Sequence, residues 1–371
     1  MTAPFEARLA GVRERMTQVG VEALCLSVGP DLPWLCGYEA MPLERLTMLV
    51  VPADSAATLV VPRLEAPRVV ERPELFSLHA WDETDDPISA VIGLLGTRRT
   101  VAVGDTTWAR FVVELLSQEP ALRLRRATDV TGALRSVKDP HELAMLHRAG
   151  AAADEVAIAL QRGDIPLVGR TEAEVSAELS RRLIDAGHQR TNFAIVAAGA
   201  NAASPHHEPG DRVIDAGEVV LCDFGGTMHD AYGVGYCSDV TRCVWTGEVP
   251  ARAAEVYGVV AAGHGAAMDG VAEGVPAGRL DALARDVITS AGYGDWFVHR
   301  TGHGIGVEAH EDPYLVAGND EPVVVGNAFS IEPGIYLPGE MGFRLEDCVA
   351  VGVEGADSFT ASDRSLVAVD A

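Results

Sequence analysis

The sequence lacks the patterns of membrane-spanning and secreted proteins. No apolar run approaches the roughly 18 residues that are needed to cross a bilayer. The N-terminus has neither the basic region nor the continuous apolar run of a signal peptide. None of the six cysteines belongs to a Cys-x-x-Cys pair, and several lie in apolar runs, which is typical of buried thiols rather than of a disulfide framework. We therefore expect a soluble cytoplasmic protein that does not bind membranes.

Positive charge is also scarce. The chain has 29 Lys and Arg residues against 54 Asp and Glu residues, which gives a formal net charge of −25. Nucleic acids and anionic membranes would be repelled by such a protein, so neither is expected as a partner. At 371 residues, of which 48% are hydrophobic, the chain is long enough for two packed domains.

The first domain is predicted to span residues 1–135 and to belong to the α/β class. Apolar residues at helical spacing from Phe5 to Val19 form one face of a helix, and Gly20 is placed to end it. Strand-like runs at 23–26, 46–51, 58–61 and 100–103 alternate with helical stretches such as 108–116. This part of the chain has no cluster of chemically active residues. We interpret it as a scaffold that shapes a pocket or a dimer contact.

The second domain is predicted to span residues 136–371. Asp139 and Pro140 suit the start of a long, alanine-rich helix, and Thr171 with Glu174 forms a capping box for a second helix that runs to about residue 186. Strands are predicted at 192–198, 219–224, 239–245, 328–332 and 344–351, with helices at 251–268 and 280–291 between them. Two helices followed by strands thus occur twice, which indicates a duplicated unit.

Four acidic residues and one histidine lie at or next to the predicted strands: Asp223, Asp239, His303, Glu332 and Glu346. Asp223 follows four apolar residues, so we expect its side chain to emerge at the edge of a buried strand. Four carboxylates that meet in a buried setting repel one another and lose their hydration at a high cost. Two divalent cations would resolve both problems. The oxygen-rich ligand set favours manganese or another hard ion, and a two-metal site activates water for hydrolysis.

The motifs that carry these residues occur in a characteristic order: DFG, GYCSDVTR, GHGIGVEAHEDP, SIEPGIY and FRLED. In this set and order the chain resembles the metallopeptidase family that contains prolidase, aminopeptidase P and methionine aminopeptidase. The resemblance covers nearly the whole chain and is strongest in the second domain. It implies a creatinase-type N-terminal α/β domain followed by a catalytic domain of the pita-bread fold, in which a unit of two helices and strands is duplicated.

The resemblance also implies a role for each ligand. Asp223 would bind one metal ion, Asp239 and Glu346 would bridge both ions, and His303 and Glu332 would complete the other. A hydroxide held between the ions would attack the scissile carbonyl, with Glu332 as the general base. The ions are expected to be Mn²⁺, with Co²⁺, Zn²⁺ and Fe²⁺ as alternatives.

Four further residues match positions near the substrate in the family. His206, seventeen residues before Asp223, corresponds to a substrate-contacting histidine. His310 would stabilise the developing oxyanion or pass a proton, and His299 corresponds to a further imidazole near the substrate. Arg344, two residues before Glu346, would support that carboxylate or contact the substrate.

Other features of these motifs have plainer interpretations. His207 is interpreted as a polar neighbour of His206. The glycines at 302, 304 and 306 favour close backbone packing rather than a phosphate loop, because there is no G-x-G-x-x-G motif and no P-loop lysine. Neither H-E-x-x-H nor G-x-S-x-G occurs, which argues against zincin and serine-hydrolase sites.

One spacing departs from the family pattern. Asp223 and Asp239 are sixteen residues apart, several more than is usual, and we interpret the extra residues as a longer hairpin loop. Asp230 competes with Asp223 as the first ligand but lacks a preceding apolar strand. The loop, with His229 and Asp230, is expected to overhang the pocket and alter specificity.

The predicted activity is hydrolysis of small peptides with proline in the second position. A prolidase-like Xaa-Pro dipeptidase is preferred, and an aminopeptidase P-like enzyme acting on longer peptides is the alternative. The presence of an N-terminal domain argues against methionine aminopeptidase. A creatinase-like amidinohydrolase or a non-catalytic binding member would be expected to have lost carboxylate ligands, and all five ligand positions are kept. The protein is expected to be a homodimer.

Overall fold

In the computed structural model, which describes residues 4–370, the chain divides into two units. The first unit consists of the described residues up to Arg135 together with Asp230–Gly235. The second consists of residues 136–229 and the described residues from Tyr236 onward. Among the helices of residues 4–370, none is both long enough and apolar enough to span a bilayer.

Helices and strands alternate in the first unit. In chain order they are α1 (Phe5–Val19), β1 (Ala23–Leu26), α2 (Asp31–Cys36), β2 (Met48–Pro52), β3 (Ala57–Pro62), β4 (Phe76–Trp81), α3 (Pro87–Leu95), β5 (Thr100–Val103), α4 (Ala109–Gln118), β6 (Arg123–Arg126) and α5 (Thr128–Arg135). They form one mixed sheet with the strand order β4-β3-β2-β1-β5-β6. The strand β1 is antiparallel to β2 and parallel to β5.

The first helix follows the predicted pattern. Phe5, Leu9, Val12 and Met16 are buried along one face of α1, and Gly20 ends the helix with a φ of 71°, a conformation that glycine adopts without steric cost. The sequence did not predict α2, β4, α3, β6 or α5.

The second unit contains two rounds of helices followed by strands. They are α6 (Pro140–Gln161), α7 (Glu172–Asp185), β7 (Arg190–Ala198), β8 (Val219–His229), β9 (Gly235–Cys237), β10 (Val240–Thr246), α8 (Ala251–Asp269), α9 (Ala277–Ser290), β11 (Gly302–Gly304), β12 (Glu311–Leu315), β13 (Ala328–Ile331), β14 (Gly334–Leu337), β15 (Met341–Arg344), β16 (Asp347–Gly352), β17 (Gly355–Ser358) and β18 (Val367–Val369). One sheet has the order β18-β10-β8-β7 with β9 paired to β8, and another has the order β12-β11-β13-β16-β17. The strands β14 and β15 form a separate hairpin.

Both N-terminal helix caps that the sequence predicts in this unit are present. The Asp139 carboxylate accepts hydrogen bonds from the backbone N–H groups of His141 and Glu142, at 2.8 and 2.9 Å. At α7, Thr171 and Glu174 form the predicted reciprocal capping box. These contacts are local in sequence, which is why the pattern predicts them.

The single strand predicted over residues 344–351 is wrong. β15 ends at Arg344 and pairs with β14, whereas β16 begins at Asp347 and pairs with β13. Glu346 lies in the break and forms an isolated bridge with Thr241 of β10. The chain breaks here because its two halves pair in different sheets.

The longer spacing between Asp223 and Asp239 has two structural sources. The strand β8 continues to His229, so Asp223 lies inside the strand. The sequence had predicted that it lies at the edge of the strand. The strand is followed by the loop Asp230–Gly235, which belongs to the first unit, and by β9, which begins at Gly235. In this loop Asp230 accepts hydrogen bonds from the backbone N–H groups of Tyr232 and Val234, at 2.8 and 2.9 Å, and so stabilises a turn.

Candidate active site

The structure brings all nine predicted site residues to one cavity of the second unit, with a volume of about 540 Å³. They are Asp223, Asp239, His303, Glu332, Glu346, His206, His299, His310 and Arg344. Phe193, Ile195, Pro205 and Arg300 complete its lining. This volume lies within the range that is usual for small-molecule sites.

Strand register places Asp223 toward the cavity. It lies directly opposite Ile195 on β7 and Thr241 on β10. Residues that are directly opposite in antiparallel strands project from the same face of a sheet. Ile195, Asp223 and Thr241 therefore share one face, which is the face of the cavity.

Thr241 also connects this sheet to the neighbouring one. Its hydroxyl donates to Glu346 Oε2 at 2.7 Å and accepts from Arg344 Nε at 3.1 Å. All three side chains are buried. The two sheets thus meet where the predicted ligands from both of them come together.

Several carboxylate oxygens in the cavity lack partners. Asp223 Oδ1, Asp239 Oδ1 and Glu346 Oε1 are buried and accept no hydrogen bond from the described residues. Buried polar atoms are normally hydrogen-bonded, so such a group of orphaned oxygens indicates a missing partner. One ligand atom from each of Asp239, His303 and Glu346 lies within 4.8 Å of the other two. This donor set fits a divalent metal ion.

The acid–base properties of the carboxyl groups agree with this interpretation. Burial raises the pKa of Asp239 and Glu346 well above the ordinary range, and neighbouring carboxylates raise it further. Burial also raises the pKa of Asp223, although Arg344 opposes the shift. For Glu332, burial acts in the same direction, but the hydrogen bond and charge of His303 outweigh it and hold the pKa at about 2. Cations bound among these groups would allow all four to ionise together.

His303 presents one ring nitrogen to the carboxylates. Its Nδ1 lies 3.1 Å from the carbonyl oxygen of Gly304, so the Nδ1–H group donates to that oxygen. Nε2 is therefore the nitrogen that faces the carboxylates, 3.2 Å from Glu332 Oε1 and 3.9 Å from Asp239 Oδ2. A backbone acceptor on one nitrogen is the arrangement that fixes a histidine for metal binding through the other.

The glycines around His303 permit close backbone contacts, as predicted. A Cβ atom on Gly302 would lie 1.9 Å from the carbonyl oxygen of Ser330, and one on Gly304 would lie 2.3 Å from that of Asp312. Either distance is far shorter than any real contact. The strand β11 therefore reaches its position between β12 and β13 only because these two residues have no side chain.

Arg344 is buried and donates from all three of its nitrogens. Apart from Thr241, its acceptors are Asp223 Oδ2 at 2.5 Å, the hydroxyl of Tyr336 at 2.9 Å and the carbonyl oxygen of Pro205 at 3.1 Å. The carboxylate to which Arg344 donates is Asp223, not the Glu346 that the resemblance implied, and its nitrogens are already occupied by acceptors of the protein.

The hydrogen-bond chain from Arg344 continues to His299. Tyr336 accepts from Arg344, so its own hydroxyl proton points to His299 Nε2 at 2.8 Å. His299 Nδ1 in turn donates to the carbonyl oxygen of Arg300 at 2.7 Å. Both nitrogens of His299 are thus used within the protein. A substrate contact by His299 would require one of these bonds to be exchanged.

His206 and His310 are the other two histidines of the cavity. The ring of His310 lies beside that of His303, with 3.9 Å between the ring centroids. Burial, followed by the charges of His303 and Arg300, lowers the pKa of His310 to about 4. His206 is exposed to solvent at the cavity. Neither has a carboxylate partner among the described residues, so both have nitrogen atoms available to a substrate.

Three residues of the site were not assigned a role from sequence. Thr241 and Tyr336 lie inside the quoted motifs, two residues after Asp239 and four after Glu332, so their positions were a usable signal. Arg300 follows His299 directly. Its guanidinium lies over the ring of Tyr314, 4.4 Å from the centroid, and 3.5 Å from His310 Nδ1. No carboxylate within residues 4–370 forms an ion pair with it.

Comparison with known proteins gives consistent matches over both units. Residues 144–352 match the model of metallopeptidase family M24, and residues 8–137 match that of the creatinase/prolidase N-terminal domain. A protein of Mycobacterium tuberculosis named "Probable dipeptidase PepE" is 41% identical over 98% of this chain and 96% of its own length. An "Xaa-Pro dipeptidase" of Lactobacillus helveticus is 36% identical over 90% of this chain and 91% of its own.

Solved structures show the same similarity. The crystal structure of a recombinant prolidase from Thermococcus sibiricus matches with a TM-score of 0.92 and 30% identity, over 100% of both chains. These matches confirm the predicted fold class, a creatinase-type α/β domain followed by a catalytic domain of the pita-bread fold.

Proposed function

The chain belongs to metallopeptidase family M24, and from that premise we propose that it is a dinuclear-metal exopeptidase that cleaves Xaa-Pro dipeptides. The observation that carries the proposal is the group of three buried carboxylate oxygens without partners beside His303. The five proposed metal ligands are Asp223, Asp239, His303, Glu332 and Glu346.

The residues of the cavity have distinct proposed tasks. When bound, the ions would supply Lewis-acid polarisation of the scissile carbonyl and lower the pKa of a water molecule. Glu332 is held by Ser330, whose hydroxyl lies 3.2 Å from its Oε1. It is the proposed general base. His310 is proposed to donate a hydrogen bond to the oxyanion or to pass a proton, and His206 to contact the substrate.

The preference for dipeptides rests on Arg300. A dipeptide has its free carboxylate only one residue beyond the bond that is cleaved, so the carboxylate remains inside the cavity. Arg300 lines that cavity without a carboxylate partner among the described residues, whereas the other lining arginine, Arg344, is fully used by the protein. An anion is therefore best recognised at Arg300. The longer substrate of an aminopeptidase P-like enzyme has a peptide bond in place of this carboxylate. Such a substrate would gain nothing from the charge of Arg300.

The relatives support the same choice. The Lactobacillus helveticus relative is named an Xaa-Pro dipeptidase, and the Mycobacterium tuberculosis relative a probable dipeptidase. A creatinase-like amidinohydrolase, the remaining alternative, is less well supported because the cavity keeps all five ligand residues.

The proposal includes Mn²⁺ as the physiological ion, a cytoplasmic location and a homodimer. The ligand set of four carboxylates and one imidazole suits Mn²⁺ better than a soft metal ion. All six cysteines are buried and free, which suits a reducing compartment. The homodimer is an expectation from the family resemblance.

The test is an assay of the manganese-loaded full chain on Gly-Pro-type dipeptides, Xaa-Pro-Xaa tripeptides and a dipeptide without proline. We expect cleavage of the first, slower cleavage of the second and none of the third, and loss of activity after chelation. Preference for tripeptides would replace the dipeptidase by the aminopeptidase P-like alternative. Metal binding without cleavage of any of these peptides would refute the proposal.

A further inference from the structure

The segment from Ala198 to Gly210, which carries His206, is anchored by one buried acidic residue. Glu172, the first residue of α7, is 0% exposed. Its Oε1 accepts from the backbone N–H of Ala198 at 2.8 Å and from Asn201 Nδ2 at 3.0 Å. Its Oε2 accepts from His207 Nε2 at 2.7 Å and from the backbone N–H of Gly210 at 3.5 Å. One carboxylate thus fixes the segment along its whole length.

Backbone contacts at the same helix end strengthen this anchor. The N–H groups of Glu172 and Ala173 donate to the carbonyl oxygens of Arg212 and Gly210, both at 3.0 Å. The first turn of a helix also favours a negative charge. Burial acts to raise the pKa of Glu172, but the hydrogen bonds from Ala198, His207 and Asn201 outweigh it, so the pKa lies below its ordinary value. The carboxylate is therefore ionised at neutral pH.

His206 is held from both sides along the chain. On one side, Arg344 donates to the carbonyl oxygen of Pro205 at 3.1 Å. On the other, His207 reaches Glu172 and is only 20% exposed, while His206 is exposed at the cavity. His207 is thus turned toward the protein interior, whereas His206 is turned toward the cavity. The position of His206 is set by what its two neighbours contact.

We propose that Glu172 and His207 are a positioning pair that holds His206 where it meets the substrate. His207, interpreted from sequence as a polar neighbour of His206, thus has the specific role of holding the segment that carries His206. Neither residue contacts the substrate, so neither is a catalytic residue. The inference rests on the proposed function only in taking His206 as a substrate contact.

The pair can be tested with two substitutions of His207. In His207→Gln the side-chain amide nitrogen extends about as far as Nε2 and keeps a donor for Glu172, whereas His207→Leu keeps the bulk and removes the donor. Loss of a hydrogen bond to a charged group changes the corresponding equilibrium constant by a factor of roughly ten or more. For His207→Leu we expect a roughly tenfold rise in KM for the dipeptide with kcat changed by less than about twofold. We expect His207→Gln to stay within about twofold of wild type.

The chain offers a matched control. His147 Nε2 lies 2.9 Å from Asp357 Oδ2, an ion pair like that of His207 but away from the cavity lining. His147→Leu makes the same chemical change and should leave KM unaltered. In addition, His207→Leu should raise KM by less than about twofold once His206 is replaced by Ala, because it acts through His206. An unchanged KM in His207→Leu, an equal rise in His207→Gln, or an undiminished effect without His206 would overturn the proposal.

Hydrogen–deuterium exchange of the substrate-free full chain separates this proposal from the proposed function. We expect faster exchange of the amides of residues 198–210 in His207→Leu than in wild type, His207→Gln or His147→Leu. If no peptide is cleaved but exchange follows this pattern, the proposed function fails and the anchoring of the segment stands. Unaltered exchange in His207→Leu refutes the positioning pair, whatever the enzyme cleaves.

Discussion

The hydroxyl of Thr241 lies 2.7 Å from Oε2 of Glu346, and this hydrogen bond joins a side chain of β10 to the break between β15 and β16, beside a backbone bridge between the same two residues. The same hydroxyl accepts from Arg344 Nε. One small side chain therefore orients a proposed bridging ligand and the arginine that holds Asp223.

Thr241→Val keeps the shape of the side chain and removes both hydrogen bonds. We expect metal affinity to fall on the order of 10–100-fold, as is usual when the partner of a ligand is lost. Measurement of metal content after dialysis against a graded chelator would show it. Thr131→Val is the matched control, because Thr131 is also buried and bonds to the carbonyl oxygen of Ala127 at 3.2 Å. Equal metal retention in the two variants would contradict a role of Thr241 at the metals.

Asp239→Asn removes one charge from the proposed bridge with little change in shape. An amide is a poor ligand for two ions at once, so we expect the bound metal per chain to drop substantially. Elemental analysis of the purified variants measures this directly. Asp154→Asn serves as the comparison, since Asp154 is buried and accepts from the backbone N–H groups of Ala361 and Ser362. Unchanged metal content in Asp239→Asn would remove Asp239 as a ligand.

Arg300→Gln tests recognition of the substrate carboxylate. Charge-assisted hydrogen bonds contribute about 1.5–3 kcal/mol, so we expect kcat/KM for an Xaa-Pro dipeptide to fall at least about tenfold. The matching Xaa-Pro amide has no carboxylate and should be affected much less. The ratio of kcat/KM for the two substrates is the quantity to measure. A parallel loss for both would show that Arg300 acts on something other than the carboxylate.

The buried Glu172 predicts a specific pH dependence of stability. His207 bonds to this carboxylate and Arg212 acts on it electrostatically. Because its pKa in the folded state lies below the value of 4.5 for a free side chain, the unfolded chain takes up a proton first as pH falls. The stabilisation is complete above about pH 4.5 and is lost as pH falls through the folded-state pKa.

The stability difference between wild type and Glu172→Gln should therefore shrink on acidification. Denaturant unfolding at a series of pH values between about 7 and 3 measures it. Glu340 is exposed, and the stability difference between wild type and Glu340→Gln at the same pH values provides the baseline. A difference at Glu172 that stays constant or grows as pH falls would contradict the prediction.

Local signals and family motifs carried the correct sequence predictions. The caps at Asp139 and Thr171 are contacts within one helical turn, so the residues that form them are close in sequence as well. The motif residues all line one cavity because each is tied to a strand whose neighbours are fixed by pairing. Hydrophobic pattern alone would not have brought them together.

The errors occur where distant parts of the chain decide the outcome. Residues 344–351 contain no glycine or proline that would mark an interruption, so nothing local indicates that β15 and β16 pair in different sheets. The same holds for His207, whose partner Glu172 is 35 residues away. The extension of β8 past Asp223 depends on its pairing with β7, in which Thr227 faces Arg190.

The loop Asp230–Gly235 makes the first unit discontinuous in the chain. Within that unit the ring of Tyr232 packs edge-on against Phe5, with 5.9 Å between the ring centroids. During synthesis, the first unit is therefore complete only after β8, a central strand of the second, has already been made. A fragment that stops at Arg135 lacks the partner ring of its first helix, an aromatic contact typically worth about 0.5–1.5 kcal/mol beyond its buried area. Such a fragment should be less stable than the same residues in the whole protein.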